Sequence, residues 1–207
     1  MEYPSERIRK AVEEFARLPG IGKKTALRLA LHLLRAPSGD SHRLADALVD
    51  LRENTKFCKQ CGNLSDEVLC GICSDSKRSN KIVCVVADVR DVFAIERTLT
   101  FIGTYHVLGG IINPMEGVSP SSLNIASLIE RVRSGEVEEV VFALSGTPEG
   151  ETTAFHLSRK LEPFQIKVST IARGAPVGSD LEYVDETTLA RSLQNRTEYA
   201  DPLKKNN

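Results

Sequence analysis

The sequence predicts a chain of mixed α and α/β class, helical at its N-terminal end and built on a parallel sheet in its larger C-terminal part. Three observations carry this. Residues 5–35 read as two amphipathic helices broken by Leu18-Pro19-Gly20-Ile21-Gly22. Residues 57–74 hold two Cys-x-x-Cys pairs. From Ile82 onward, short apolar runs alternate with segments of helical spacing, the pattern of a two-sided parallel sheet.

The elements follow in order. Ser5 is a candidate N-cap for a first helix whose inner face is Ile8, Val12, Phe15 and Ala16. A second helix over 23–35 turns Ala26, Leu27, Ala30, Leu31 and Leu34 inward. Pro37 to Asp40 is a turn, and residues 41–55 form a third helix with Leu44, Ala47, Leu48 and Leu51 as its stripe. After the cysteine segment, Ser74–Lys81 is polar and linker-like. Ile82–Ala87, a valine-rich run, is a buried strand. Helix over 91–100, strand over 105–108, helix over 124–133, strand over 139–144, helix over 152–161, strand over 167–171 and helix over 186–193 complete the alternation. A loop rich in Gly, Asn and Pro spans 109–121, and the last residues form a frayed tail. The expected divisions are 1–56, 57–74, 82–195 and a tail of 196–207.

Composition narrows the classes. The 207 residues are 41% hydrophobic and 27% charged, which fits one or two folded domains and not wholesale disorder. No apolar run approaches the roughly 18–20 residues that cross a bilayer. Met1–Arg7 lacks the basic-then-apolar layout of a signal peptide, so a cytoplasmic protein is expected. The net charge of −1 is unevenly spread. Residues 1–43 carry nine Lys/Arg against five Asp/Glu, whereas residues 82–207 carry twelve against seventeen. Any nucleic-acid contact is therefore expected at the N-terminal end.

The turn at 18–22 leads directly into a helix start, where several backbone N–H groups have no partner. Such a start favours a phosphate. Lys23 and Lys24 add charge there, and Arg28 follows one helical turn beyond Lys24. Gly20 and Gly22 let the backbone come close to another chain. The arrangement grips a DNA backbone without reading bases. The competing reading is a pair of helices that simply pack, with solvated lysines. A nucleotide-hydrolysing phosphate loop is excluded, because Gly22-Lys23 places Arg17 at the first glycine and Lys24 at the hydroxyl position.

Cys58-x-x-Cys61 and Cys70-x-x-Cys73 supply four thiolates from two tight turns, the donor set of a closed structural zinc site. Redox cysteines or two disulfides are the alternatives. Residues 57–74 are too few for a core of their own, so metal binding is expected to supply much of the local folding energy. Cys84 lies inside an apolar run and reads as a packing residue. His32, His42, His106 and His156 have no partners at metal or triad spacing and read as structural. The loop opening at Arg173-Gly174 follows a strand end, where open α/β sheets bind ligands; the alternative is an oligomer contact.

In this order, a helix-hairpin-helix, a four-cysteine knuckle and an α/β domain, the chain resembles the RecR family of bacterial recombination mediators. The resemblance rests on Leu18–Ala26, the cysteine quartet, Val85–Glu96, Ala143–Thr153 and Ala172–Leu189. It implies a Toprim domain from about residue 82. Active Toprim enzymes hold Mg²⁺ with a glutamate after the first strand and an Asp-x-Asp pair after a later one. Here those positions fall on Ala87 and on Ser145-Gly146-Thr147. Three expected acids are missing, which argues for a scaffold without catalytic residues. Only relocated acids (Asp88, Asp91, Glu96 or Glu149) could support the rival, a Mg²⁺-dependent phosphoryl-transfer enzyme on DNA. A protein-binding adaptor is a third reading. Glu149 is a candidate partner contact, or a carboxylate favoured by a helix start. The resemblance further implies a homotetrameric ring on single- and double-stranded DNA, associated with the nucleoid. Such a ring works with RecO and often RecF to load RecA on single strands coated by SSB.

Overall fold

The computed structural model describes residues 3–196 and divides into two compact units, one ending at Lys56 and one beginning at Phe57. The expected tail lies outside the described residues from 197 onward.

In the first unit, α1 (Glu6–Ala16) packs on α2 (Lys23–Arg35) through Val12 and Ala26, both fully buried. The small Ala26 lets the two helices approach closely. Ser5 occupies the N-cap of α1, but its hydroxyl makes no capping bond. The third helix, α3 (Ser38–Asn54), starts earlier than the sequence suggests. Pro37, at the N-cap, has no N–H to leave unpaired, and Asp40 sits in the first turn, where the helix dipole favours a carboxylate. It pairs with Arg43 at 2.5 Å, so the expected turn at 37–40 is mostly helix. The stripe expected to face inward is bare. No residue of α3 is buried, and Leu44, Leu48 and Leu51 are exposed. Leu34 of α2, also expected inward, is exposed too.

A two-stranded ribbon of β1 (Lys56–Phe57), which starts at the last residue of the first unit, and β2 (Leu64–Ser65) is followed by the single turn α4 (Gly71–Ser74). Strands β3 (Ser79–Val86), β4 (Gly103–Val107), β5 (Glu139–Ala143) and β6 (Lys167–Thr170) form a four-stranded sheet in the order β4-β3-β5-β6. Every pairing in it is parallel. Its crossovers are α5 (Val89–Glu96), α6 (Ile125–Arg133) and α7 (Pro148–Leu161), and α8 (Glu186–Gln194) closes the described chain.

The central strand β3 is apolar on both faces because both are covered. Val83 and Val85 meet Leu128, Val132, Leu157 and Leu161 of α6 and α7. The alternate residues, Cys84 and Val86, meet Val92 of α5 with Tyr105 and Val107. Cys84 is thus a packing residue, and burial pushes its thiol pKa up to about 12.

Some boundaries differ from expectation for identifiable reasons. Residues 74–81 are not a linker, since β3 already starts at Ser79. Arg78 fastens that segment: it donates to both Glu96 carboxylate oxygens, at 2.9 and 2.5 Å, and to the Phe101 carbonyl. The Tyr105 hydroxyl donates to the same carboxylate at 2.6 Å. Helix α5 starts at Val89 because Asp88 and Asp91 form a capping box. It ends at Glu96, short of the expected residue 100, and Leu99 beyond it has a left-handed φ of 56° and an exposed side chain. Helix α7 starts at Pro148 because the Thr147 hydroxyl accepts from the Gly150 N–H.

The three-residue cluster gives a first prediction. Arg78, foremost, and Tyr105 hold the Glu96 carboxyl below its ordinary range. A depressed carboxyl pKa adds stability that is complete above the unfolded-state value of about 4.3 and is lost as pH falls through the folded value. Glu96→Gln should therefore cost roughly 1–3 kcal/mol at neutral pH. Urea unfolding should show that difference shrinking below about pH 4.

Candidate functional site

In the hairpin, Ile21 N–H closes the turn on the Leu18 carbonyl at 3.1 Å. Gly20 has φ +78°, which favours glycine. Gly22 does not share that requirement: as N-cap of α2 it has φ −80°. Its contribution is a bare backbone, since a Cβ there would meet nothing within 4 Å. No side chain caps the start of α2, and its first turn carries no acid. Lys23, Lys24 and Arg28 are all exposed. Among the described residues none of them forms an ion pair, whereas Arg9, Arg17 and Arg43 of the same unit do. Uncapped N–H groups and free cations thus share one end of α2, the requirement for holding an anion.

The four cysteines converge. Their sulfurs lie within 4.8 Å of one another, and Cys61 and Cys70 Sγ are 3.6 Å apart. Four sulfurs each about 2.3 Å from one zinc would be separated by roughly 3.8 Å. The turns that present them are tight: Gly62 N–H bonds the Cys58 carbonyl at 2.9 Å, and Ser74 N–H bonds that of Cys70 at 3.0 Å. Gly62 has φ +73°, and a Cβ there would lie 3.0 Å from both the Val107 carbonyl and Asn124 Nδ2. Gly71 needs no such freedom and simply opens α4.

The donor set fits a dication. Without one, the thiols hinder each other's ionisation. The hydrogen bond with Cys73 and burial both push the Cys61 pKa up. Burial foremost raises that of Cys70. Burial also works against ionisation of Cys58, but N–H groups from Cys70, Cys61 and Gln60 outweigh it and bring the value to about 7. Asn63 N–H points at Cys61 Sγ, 3.4 Å away, as backbone donors do around bound thiolates. The four protein ligands fill the tetrahedron, so the centre is structural.

At the C-terminal ends of β3 and β5 the positions that lack the Toprim acids come together, because Val86 pairs with Ala143. Ala87 follows one strand and Ser145-Gly146-Thr147 the other. Ser145 and Thr147 hydroxyls bond each other at 3.1 Å. Two arginines that sequence reading did not assign there complete the surroundings. Arg173 donates to the Leu144 carbonyl and pairs with Glu151, and Arg191 donates to the Gly146 carbonyl.

Three of the four relocated acids are engaged elsewhere. Asp88 caps α5 and pairs with Arg90 at 2.8 Å, and Asp91 completes the capping box. Glu96 is held by Arg78. Glu149 lies half-buried in the first turn of α7, its side chain without a hydrogen bond among the described residues. The described residues offer no group of three or more potential metal ligands besides the cysteines.

His106 is legible in the sequence only as a structural histidine. It is fully buried, its Nε2 lies 2.7 Å from the Asn124 carbonyl, and burial lowers its pKa to about 4. His32, His42 and His156 likewise join no metal-ligand group.

Two outcomes test the metal centre. Cys58→Ser should abolish zinc retention, read as the loss of the metal mass increment by native mass spectrometry. Acidification should release zinc from the intact chain as protons reclaim the thiolates, seen as rising absorbance of a zinc-binding dye when pH falls below neutral.

Comparison with known proteins agrees with these features. Four family models match along the chain. They are the RecR helix-hairpin-helix over residues 8–52, the RecR four-cysteine zinc finger domain over 55–75, the Toprim domain over 81–172 and the RecR C-terminal region over 176–197. Proteins named "Recombination protein RecR" are similar over nearly the full length. That of Cytophaga hutchinsonii is 54% identical over 95% of this chain and 97% of its own. Those of Porphyromonas gingivalis and Flavobacterium johnsoniae are each 52% identical, covering 98% and 100% of both chains respectively. No described helix is long and apolar enough to cross a membrane. With its hairpin, zinc finger and Toprim domain in this order, the chain belongs to the RecR family of recombination proteins.

Proposed function

We propose that this recombination protein is a DNA-binding mediator of repair that acts without catalysing a reaction itself. In this reading, residues 1–56 form the DNA-binding hairpin region. Residues 57–74 form the zinc knuckle, and residues 82–195 form the Toprim-like part with a C-terminal oligomerisation segment. The chain assembles as a homotetrameric ring in the cytoplasm, at the nucleoid. With RecO, and with RecF as a further partner, it helps load RecA on SSB-coated single strands.

The observation that carries the reading is the start of α2. Lys23, Lys24 and Arg28 lie free around uncapped N–H groups, with Gly20 and Gly22 leaving the approach bare. These contacts suit phosphates and so serve single- and double-stranded DNA alike. One copy would hold DNA weakly. Several copies around a common opening would multiply the grip through effective concentration. The bare apolar stripe of α3 supports assembly, because exposed leucines in register commonly mark an interface. Absence of catalysis is supported by Ala87 and Ser145-Gly146-Thr147 at the acid positions, with Arg173 and Arg191 nearby. A cation there would meet guanidinium groups. Glu149, whose side chain makes no hydrogen bond among the described residues, is the proposed contact for a partner protein.

The experiment is fluorescence anisotropy with a labelled oligonucleotide over a salt series. The combined Lys23→Ala, Lys24→Ala and Arg28→Ala variant should bind far more weakly. Its slope of log affinity against log salt should be shallower by about two or more. Unchanged affinity would remove the hairpin from the DNA interface and favour a protein-binding adaptor. A Mg²⁺-dependent change in DNA length or topology would establish the enzyme reading instead.

A further inference from the structure

A zinc ion bound by four thiolates carries a net charge of −2, from four negative ligands and one dication. Such a charge in a partly dry setting is costly unless donors or cations stand close by. The knuckle's own cations do not fill that need: Lys59 is exposed, as are Lys56 and Lys77 before and after the cysteines.

One cation of the sheet domain is placed differently. Arg131, on α6, is half-buried. Its guanidinium donates to the Tyr105 carbonyl at 2.8 Å and to Thr104 Oγ1 at 2.5 Å, both neutral acceptors. Among the described residues no carboxylate lies within 4.0 Å of it, whereas Arg78, Arg133, Arg173 and Arg191 of the same unit each have one and the other unpaired arginines are exposed. A half-buried guanidinium with no carboxylate partner is costly.

The strand β4 explains where its counter-charge comes from. Leu108 N–H bonds back to Val86 of β3, so the odd-numbered residues 105 and 107 turn their backbone groups to the outer edge. On that edge Val107 N–H donates to the Cys61 carbonyl at 2.7 Å, while the Tyr105 carbonyl accepts from Arg131. The knuckle and the guanidinium are therefore neighbours on one strand edge, bonded to residues whose Cα atoms are about 7 Å apart. Burial is the largest influence on Arg131 and works against its charge; the thiolates of Cys73, Cys61 and Cys58 lead the opposing influences, ahead of Glu136. His106, also beside Arg131, stays neutral and offers no competing charge.

We infer that Arg131 is the counter-charge of the metal centre. It is a positioning residue supplied by the Toprim domain, which offsets part of the −2 on the zinc tetrathiolate and thereby sets how tightly the knuckle holds its metal. The zinc site then extends well beyond residues 57–74, and the metal and the sheet stabilise each other.

The test compares Arg131→Met, which keeps the length without the charge, with Arg131→Lys, which keeps the charge. Both are made in the full chain, and zinc affinity is measured by competition with a chelating dye. Arg131→Met should bind zinc about 10- to 100-fold more weakly, the usual effect of losing an outer partner of a metal site. Arg131→Lys should stay within a few-fold of the parent chain. Cobalt(II) in place of zinc gives a second readout. Without the nearby positive charge, the thiolate-to-cobalt charge-transfer band should move to lower energy in Arg131→Met and stay put in Arg131→Lys. If Arg131→Met does not fold with zinc in excess, Arg131→Gln, which keeps a donor for the Tyr105 carbonyl, takes its place in both measurements. Parent-like zinc affinity in the neutral variant overturns the inference. So does an unmoved cobalt band, or an equal loss in Arg131→Lys, which would assign Arg131 to hydrogen bonding alone.

Discussion

The outer edge of β4 presents backbone groups that the four-stranded sheet has no further strand to satisfy. Cys61 takes the Val107 N–H and Arg131 takes the Tyr105 carbonyl. Bare edges invite pairing with other chains, and proteins commonly cover them with a loop or a charge. Here the cover is a metal knuckle too small to fold unaided. The arrangement joins two requirements in one place: the sheet needs its edge closed, and the knuckle needs a platform. Gly62 shows how closely they meet, since even one added carbon there would crowd the Val107 carbonyl.

Much of this is legible in the sequence because the signals are local. Paired Cys-x-x-Cys turns, a Leu-Pro-Gly-Ile-Gly break and valine-rich runs each impose their own structure over a few residues. What escapes depends on contacts far apart along the chain. Arg78 sits in a polar stretch that reads as a linker, and only its bond to Glu96 reveals it as a fastener. Arg131 looks like an ordinary basic residue near a helix end. Arg173 and Arg191 reach the positions without acids from distant segments. The early start of α7 is within reach of sequence reasoning, because Thr147-Pro148 is a helix-opening pair. The stripe of α3 is apolar as expected, yet periodicity cannot say whether a stripe is covered by its own chain.

A parallel sheet concentrates loops at the C-terminal ends of its strands, and that is where α/β folds place their chemistry. In this chain that location is lined by hydroxyls and arginines. Hydroxyls bond one another, and arginines bind strand-end carbonyls. The fold therefore serves as a frame that positions α7 and the segment after β6. Function has to be argued from the side chains at the site, because the fold alone does not decide it.

The capping box at the start of α5 decides what the acids beside the first strand end are used for. Asp88 and Asp91 lie nearest in sequence to the position at Ala87, yet both are occupied with backbone N–H groups. Releasing either would unwind the first turn of a helix that covers the sheet. Beside Ser145 and Thr147, Arg173 and Arg191 donate to the Leu144 and Gly146 carbonyls. Under the proposed non-catalytic role, the acids nearest the strand end serve the helix start, and the arginines beside the neighbouring loop hold its backbone.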